Sequence, residues 1–174
     1  MYSFNRQFYK PILTDEFITT EYQNLLGIAK KMSPDKCVQI ATELFYAPGR
    51  SAIGVNHLPE GFFGVDSLWD KSDIDLGEGI LLNKRDIVIH AEIDALRQVK
   101  DRVCKGYGMA LVTSLPCQRC VVELLDAGFK TIIYGSTVLN NFEMKIKKSR
   151  FMIEHYKSDD PVVVLHVSEL GQGS

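Results

Sequence analysis

Two short segments constrain this chain more than anything else in it: His90-Ala91-Glu92 and, 27 positions after the histidine, Cys117-Gln118-Arg119-Cys120, preceded by Pro116. Imidazole and thiolate are the side chains zinc favours, and His90, Cys117 and Cys120 leave a tetrahedral ion one ligand short. No second Cys-x-x-Cys follows to close the shell. An open fourth position, filled by water, is what separates a catalytic zinc from a structural one. A Cys-x-x-Cys alone would also suit disulfide exchange, and a structural zinc would draw a fourth ligand from His57, Cys37 or Cys104. Glu92 favours the catalytic reading, because a carboxylate two residues beyond a ligand can stand beside the open position and move protons.

The ligands come from distant parts of the chain, so the fold has to bring them together. Apolar residues Phe17, Tyr22, Leu25, Leu26, Ala29 and Met32 recur at helical spacing, and the helix they predict over 16–32 ends near Ser33-Pro34. Residues 37–46 alternate in part and return, after Pro48-Gly49, as 51–55, which reads as an antiparallel hairpin. Ile87-Val88-Ile89 reads as a short strand delivering His90 to a helix start. Met109 to Thr113 reads as a strand, Cys117 opens a helix closed by Gly128, and residues 131–134 form another strand. That order implies a parallel pair joined by a right-handed crossover, with both ligand sources at helix N-termini, where free N–H groups favour thiolates. Residues 142–156 look helical, and Val162 to Val167 has the apolar run of a covered last strand. The expected architecture is a three-layer α/β/α domain, a single unit over 1–174, around a mixed five-stranded sheet.

Composition removes several classes of function. The chain has 174 residues, 45% of them hydrophobic, enough for one sizeable core. A net charge of −2 gives no basic excess to mark a nucleic-acid footprint. Cys37 and Cys104 are left over from the metal motif, which favours a reducing compartment. No apolar run approaches the roughly 18–20 residues that span a bilayer, and the N-terminal residues lead into no signal-like segment, so the expected location is the cytoplasm.

His-x-Glu followed by Pro-Cys-x-x-Cys is the signature of zinc nucleobase deaminases. The chain resembles, more narrowly, the deoxycytidylate deaminases. Gly54-Val55-Asn56-His57-Leu58-Pro59-Glu60-Gly61 is similar to their Gly-x-Asn-Gly-x-Pro-x-Gly loop and likewise stands upstream of His-Ala-Glu across a long insert. The resemblance covers roughly residues 16 to 135. Two positions depart from it: His57 stands where glycine is usual, and Asp94 where asparagine is usual.

The resemblance implies a cytidine-deaminase-like fold, a Zn2+ cofactor on His90, Cys117 and Cys120, and Glu92 as the proton shuttle. It implies hydrolysis of dCMP to dUMP and ammonia, a step in pyrimidine deoxynucleotide supply toward dTTP. Substrate contacts are expected from Asn56 to a sugar hydroxyl, from Ala91, Ser114, Leu115 and Pro116 around the base, and from Tyr134 by stacking at a strand end. It further implies homohexamers, with dCTP and dTTP as allosteric effectors acting near the Phe62 to Asn83 insert. Lys84 and Arg85 are the candidates for a substrate phosphate. His155 and His166, without partners at ligand spacing, read as structural. The competing readings are a deaminase of a modified deoxycytidylate, a free nucleoside or adenosine in transfer RNA, a non-catalytic nucleotide-binding protein, and a structural zinc module.

Overall fold

The computed structural model describes residues 2–62, 73–135 and 142–171. Helix α1 (Asp15–Met32) starts where the Thr14 hydroxyl accepts the Phe17 N–H, and it buries Ile18, Tyr22, Leu25 and Ala29 along one stripe. Strands β1 (Ala41–Ala47) and β2 (Arg50–Val55) form the expected hairpin, turned at Gly49, whose φ of 64° a side chain would resist. A separate small hairpin, β3 (Ile74–Gly77) with β4 (Ile80–Leu82), occupies part of the long insert. Trp69, Asp66 and Asp70 of that insert lie outside the described residues. The chain then runs α2 (Ala91–Leu96), β5 (Met109–Val112), α3 (Gln118–Asp126), β6 (Thr131–Tyr134), α4 (Phe142–His155) and β7 (Val163–His166).

The five-stranded sheet has the order β2-β1-β5-β6-β7. β1 is antiparallel to both neighbours, and β5, β6 and β7 are parallel, with Met109 opposite Thr131 and Val112 opposite Tyr134. Two apolar layers cover it. Met109, Leu111, Ile133 and Leu165 pack toward Ile18 and Leu25 of α1. Ala110, Val112, Ile132 and Val164 pack toward Val121, Leu124 and Leu125 of α3 and Ile153 of α4. β5 is therefore buried on both faces, which is why its sequence is a continuous apolar run rather than an alternation. Each fully buried Leu or Ile in these layers contributes about 2 kcal/mol.

Two expected strands are shorter than their sequences suggested. The first begins at Ala41 rather than at Cys37, because the Asp35 carboxylate accepts the N–H groups of Cys37 and Val38 and folds that stretch into a turn. The run Ile87-Val88-Ile89 is not a sheet strand. A 3-10 turn at Lys84–Asp86, capped by Asn83, leads into it, and Ile89 alone pairs with His57 through two backbone bonds of 2.8 and 3.0 Å. One bridge suffices to hold the residue before His90. Among the described residues, no helix is long and apolar enough to cross a membrane.

Candidate active site

The metal-type ligands meet at two helix starts. His90 is the N-cap of α2, and Cys117 is the N-cap of α3 with Cys120 in the first turn. The Cys117 loop leaves the C-terminal end of β5, the edge of a parallel sheet where ligands usually bind. β2 holds α2 in place by very close approach: a Cβ on Gly54 would lie 2.3 Å from the Ala95 nitrogen and 2.4 Å from the Ala91 oxygen. Only glycine lets strand and helix backbones touch there.

His90 Nδ1 lies 3.6 Å from Cys117 Sγ and 3.4 Å from Cys120 Sγ. Tetrahedral zinc with ordinary Zn–N and Zn–S bonds separates its nitrogen and sulfur ligands by about 3.5 Å. The three ligand atoms all lie within 4.8 Å of one another, so the donor set and its spacing fit zinc. Cys117 is pushed down to about 3 by the hydrogen bond from Cys120, reinforced by His90, while that same bond and burial push the Cys120 thiol up. His90 is raised in turn, chiefly by its hydrogen bond to Cys117. A divalent cation satisfies this crowd of donors better than shared protons do.

Glu92 is 4% exposed, and burial raises its carboxyl above the ordinary range, with His90 pulling the other way. A carboxyl whose ionised form is penalised by burial and favoured by a neighbouring histidine is suited to taking and returning a proton. Cys117, His90, Ala91 and Glu92 form the inner wall of a cavity of about 240 Å³. Asp35, Asn56, Lys84, Arg85 and Lys145 also line it, with Val38, Ile40 and Val88 as apolar lining. A larger open groove of about 1060 Å³ crosses the opposite ends of β5, β6 and β7 and shares no residue with the ligand group.

Asn56 lines the cavity with its amide largely committed. Its Oδ1 accepts from the Ser33 hydroxyl at 2.8 Å and from the Ile40 N–H at 2.9 Å, and its Nδ2 donates to the Val38 carbonyl at 2.7 Å. One amide hydrogen is left over for a ligand. Ser114, Leu115 and Pro116 are buried behind the metal loop, where the Pro116 carbonyl accepts from the Ser149 hydroxyl at 3.0 Å. Tyr134 is fully buried, and its hydroxyl is bonded to both backbone groups of Tyr2. It does not line the cavity, because the strand end carries its ring into the core between the sheet and the N-terminal segment.

The two departures from the deoxycytidylate pattern touch each other. His57 Nε2 lies 2.9 Å from Asp94 Oδ1, and the other carboxylate oxygen of Asp94 accepts the Val55 N–H at 3.1 Å. His57 Nδ1 faces the Leu58 carbonyl at 2.7 Å. Together they strap the Asn56 loop to α2. Asp35 and Lys145 were not singled out by the sequence. Lys145 belongs to a helix with further lysines at 147 and 148, and only the docking of α4 decides which one turns inward.

No family model matches the chain, and no curated protein matches it in sequence. Solved structures match in fold. This sheet order, with helices on both faces, is the fold of two solved deaminase structures. The crystal structure of dCMP deaminase from the cyanophage S-TIM5 in apo form has a TM-score of 0.54 at 17% identity, covering 91% of this chain and 99% of that one. The crystal structure of that deaminase in complex with dCMP and dUMP has a TM-score of 0.55 at 18% identity, covering 80% of this chain and 94% of that one.

Proposed function

We propose that this protein is a zinc-dependent deaminase that hydrolyses the 4-amino group of dCMP, giving dUMP and ammonia. The observation that carries the reading is the convergence of His90, Cys117 and Cys120 at zinc spacing with the buried Glu92 on the same cavity wall. The fold is that of an enzyme crystallised with dCMP and dUMP, the substrate and product of this reaction. Zinc held by these three residues would supply a water that loses a proton, and so becomes a nucleophile, near neutral pH. Glu92 does the proton work: it accepts a proton from the attacking water and delivers it to the ring nitrogen N3. It then carries the second water proton to the amine, so that the C4–N bond breaks, ammonia departs and a C4 carbonyl remains. The base approaches past Ala91, with the Ser114–Pro116 backbone behind the metal loop. Asn56 offers its remaining amide hydrogen to a sugar hydroxyl.

The proposal extends to a cytoplasmic, single-domain homo-oligomer, hexameric by resemblance and tuned by dCTP and dTTP. Its test is ammonia release by zinc-loaded protein against dCMP, CMP, deoxycytidine, dCTP and a transfer RNA, each with and without added dCTP. Preference for dCMP is the expected result, and a response to dCTP the expected sign of regulation. Preference for another member of the panel reassigns the substrate, and silence on all five overturns the reading.

A further inference from the structure

Beyond Glu92 and the metal-type ligands, the cavity lining carries three cationic side chains and one carboxylate. Apart from Glu92 and the metal ligands, its charged residues are Asp35, Lys84, Arg85 and Lys145. Asp35 is 2% exposed and takes Lys84 at 2.7 Å, while its other oxygen holds the N–H groups of Cys37 and Val38. Lys84 is thereby committed to the protein. Arg85 spends only its Nε, on the Asn83 side chain at 3.3 Å. Neither Arg85 nor Lys145 joins any of the ion pairs among the described residues.

Lys145 is placed there by helix geometry. Ser149 and Ile153 are buried on the α4 stripe that packs against α3, and Lys145 lies one turn before Ser149 on that stripe. Because Ser149 donates to the Pro116 carbonyl, one turn earlier brings Lys145 over the metal loop. Its neighbours Lys147 and Lys148 are exposed, whereas Lys145 is half-buried and lies in the electrostatic range of Glu92, Cys117 and Cys120. Lys145 forms no ion pair among the described residues, and the anions in its range, Glu92, Cys117 and Cys120, are the groups that the proposed metal and chemistry would use, so the ammonium is open to an anion that a ligand brings.

We propose that Lys145, with Arg85 at the mouth, binds the phosphate monoester of the substrate and so selects a nucleoside monophosphate over a free nucleoside or base. This rests on the deaminase reading of the same cavity and names its substrate class. The Lys84 charge is answered by Asp35, which leaves Lys145 as the principal cation for the ligand.

The test uses binding, so that it does not depend on turnover. Zinc-loaded protein is titrated calorimetrically with dUMP, with deoxyuridine and with dUMP in the presence of inorganic phosphate. Wild type is expected to bind dUMP more tightly than deoxyuridine and to lose part of that advantage to phosphate. Lys145→Met is expected to weaken dUMP roughly 10- to 100-fold, the range of one charge-assisted contact, and deoxyuridine far less. Lys145→Arg restores part of the loss, and Arg85→Met costs less than Lys145→Met. Equal weakening of both ligands, or no weakening of dUMP, overturns the assignment. As a check that needs no variant, amine acylation of Lys145 in the wild type is slowed by dUMP and by phosphate but not by deoxyuridine; indifference to dUMP overturns the assignment too. Failure of the underlying reading is distinguishable, since wild type then binds neither ligand and releases no ammonia from dCMP.

Discussion

The floor of the cavity and its mouth are built in different ways. The floor comes from two compact segments of three and five residues, which the fold brings together so that His90, Glu92, Cys117 and Cys120 lie at the starts of α2 and α3. The mouth is assembled from four separate stretches, at Asp35, Asn56, Lys84-Arg85 and Lys145, that meet only when α4 and the Asn83 turn have docked. At the floor, residue type and spacing already imply a role. At the mouth a residue's role depends on what else it is bound to: Lys84 and Lys145 are both lysines of the cavity lining, yet among the described residues only the first forms an ion pair.

If the floor is a metal centre, Cys117→Ser has the largest effect: metal content falls below one ion per chain, and deaminase activity is lost with it. Elemental analysis beside ammonia release checks this, and unchanged metal content would remove Cys117 from the ligand set. Glu92→Gln comes next. It keeps the size of the side chain, loses the proton shuttle, and should lower kcat roughly 1000-fold while zinc stays bound, within the range general acid–base catalysis contributes. A variant that keeps most of its turnover would make Glu92 a wall residue rather than part of the chemistry.

This contrast also explains how much could be read from the chain alone. The hairpin, the parallel half and the ligand motifs follow from periodicity and from motif spacing, because each strand, helix and motif is signalled by residues close together in sequence. Asn56 was visible as a pocket residue, but its bonds to Ser33, Val38 and Ile40 were not, and they leave it one hydrogen for a ligand. Tyr134 looked like a stacking residue because strand ends often face a crevice; Tyr2, 132 positions away, captures its hydroxyl instead. His57 and Asp94 looked like two separate departures and are one contact. Lys145 carried no local signal, since nothing in a run of helical lysines says which one the neighbouring helix will cover.

Lys84→Met tests the mouth more sharply than any single-contact change there. It leaves the Asp35 carboxylate buried without its cation, which costs about 3–5 kcal/mol of stability. Urea unfolding should show that loss, and dUMP affinity in the folded variant should fall less than in Lys145→Met. The opposite pattern, intact stability with nucleotide binding lost, would exchange the roles of the two lysines and erase the distinction between a paired and an available cation.

The smallest effect belongs to the strap between floor and mouth. In Asp94→Asn the side-chain oxygen can still accept the Val55 N–H, and the amide can donate to His57 Nε2, so both contacts of the carboxylate have neutral replacements. The expected loss is below about 1 kcal/mol, whereas Asp94→Ala strands the Val55 N–H and His57 and costs about 2 kcal/mol. Because the strap holds the Asn56 loop against α2, the alanine variant should raise KM for dCMP more than it lowers kcat. A fall in kcat with KM unchanged would place Asp94 with the chemistry of Glu92, two residues before it on α2.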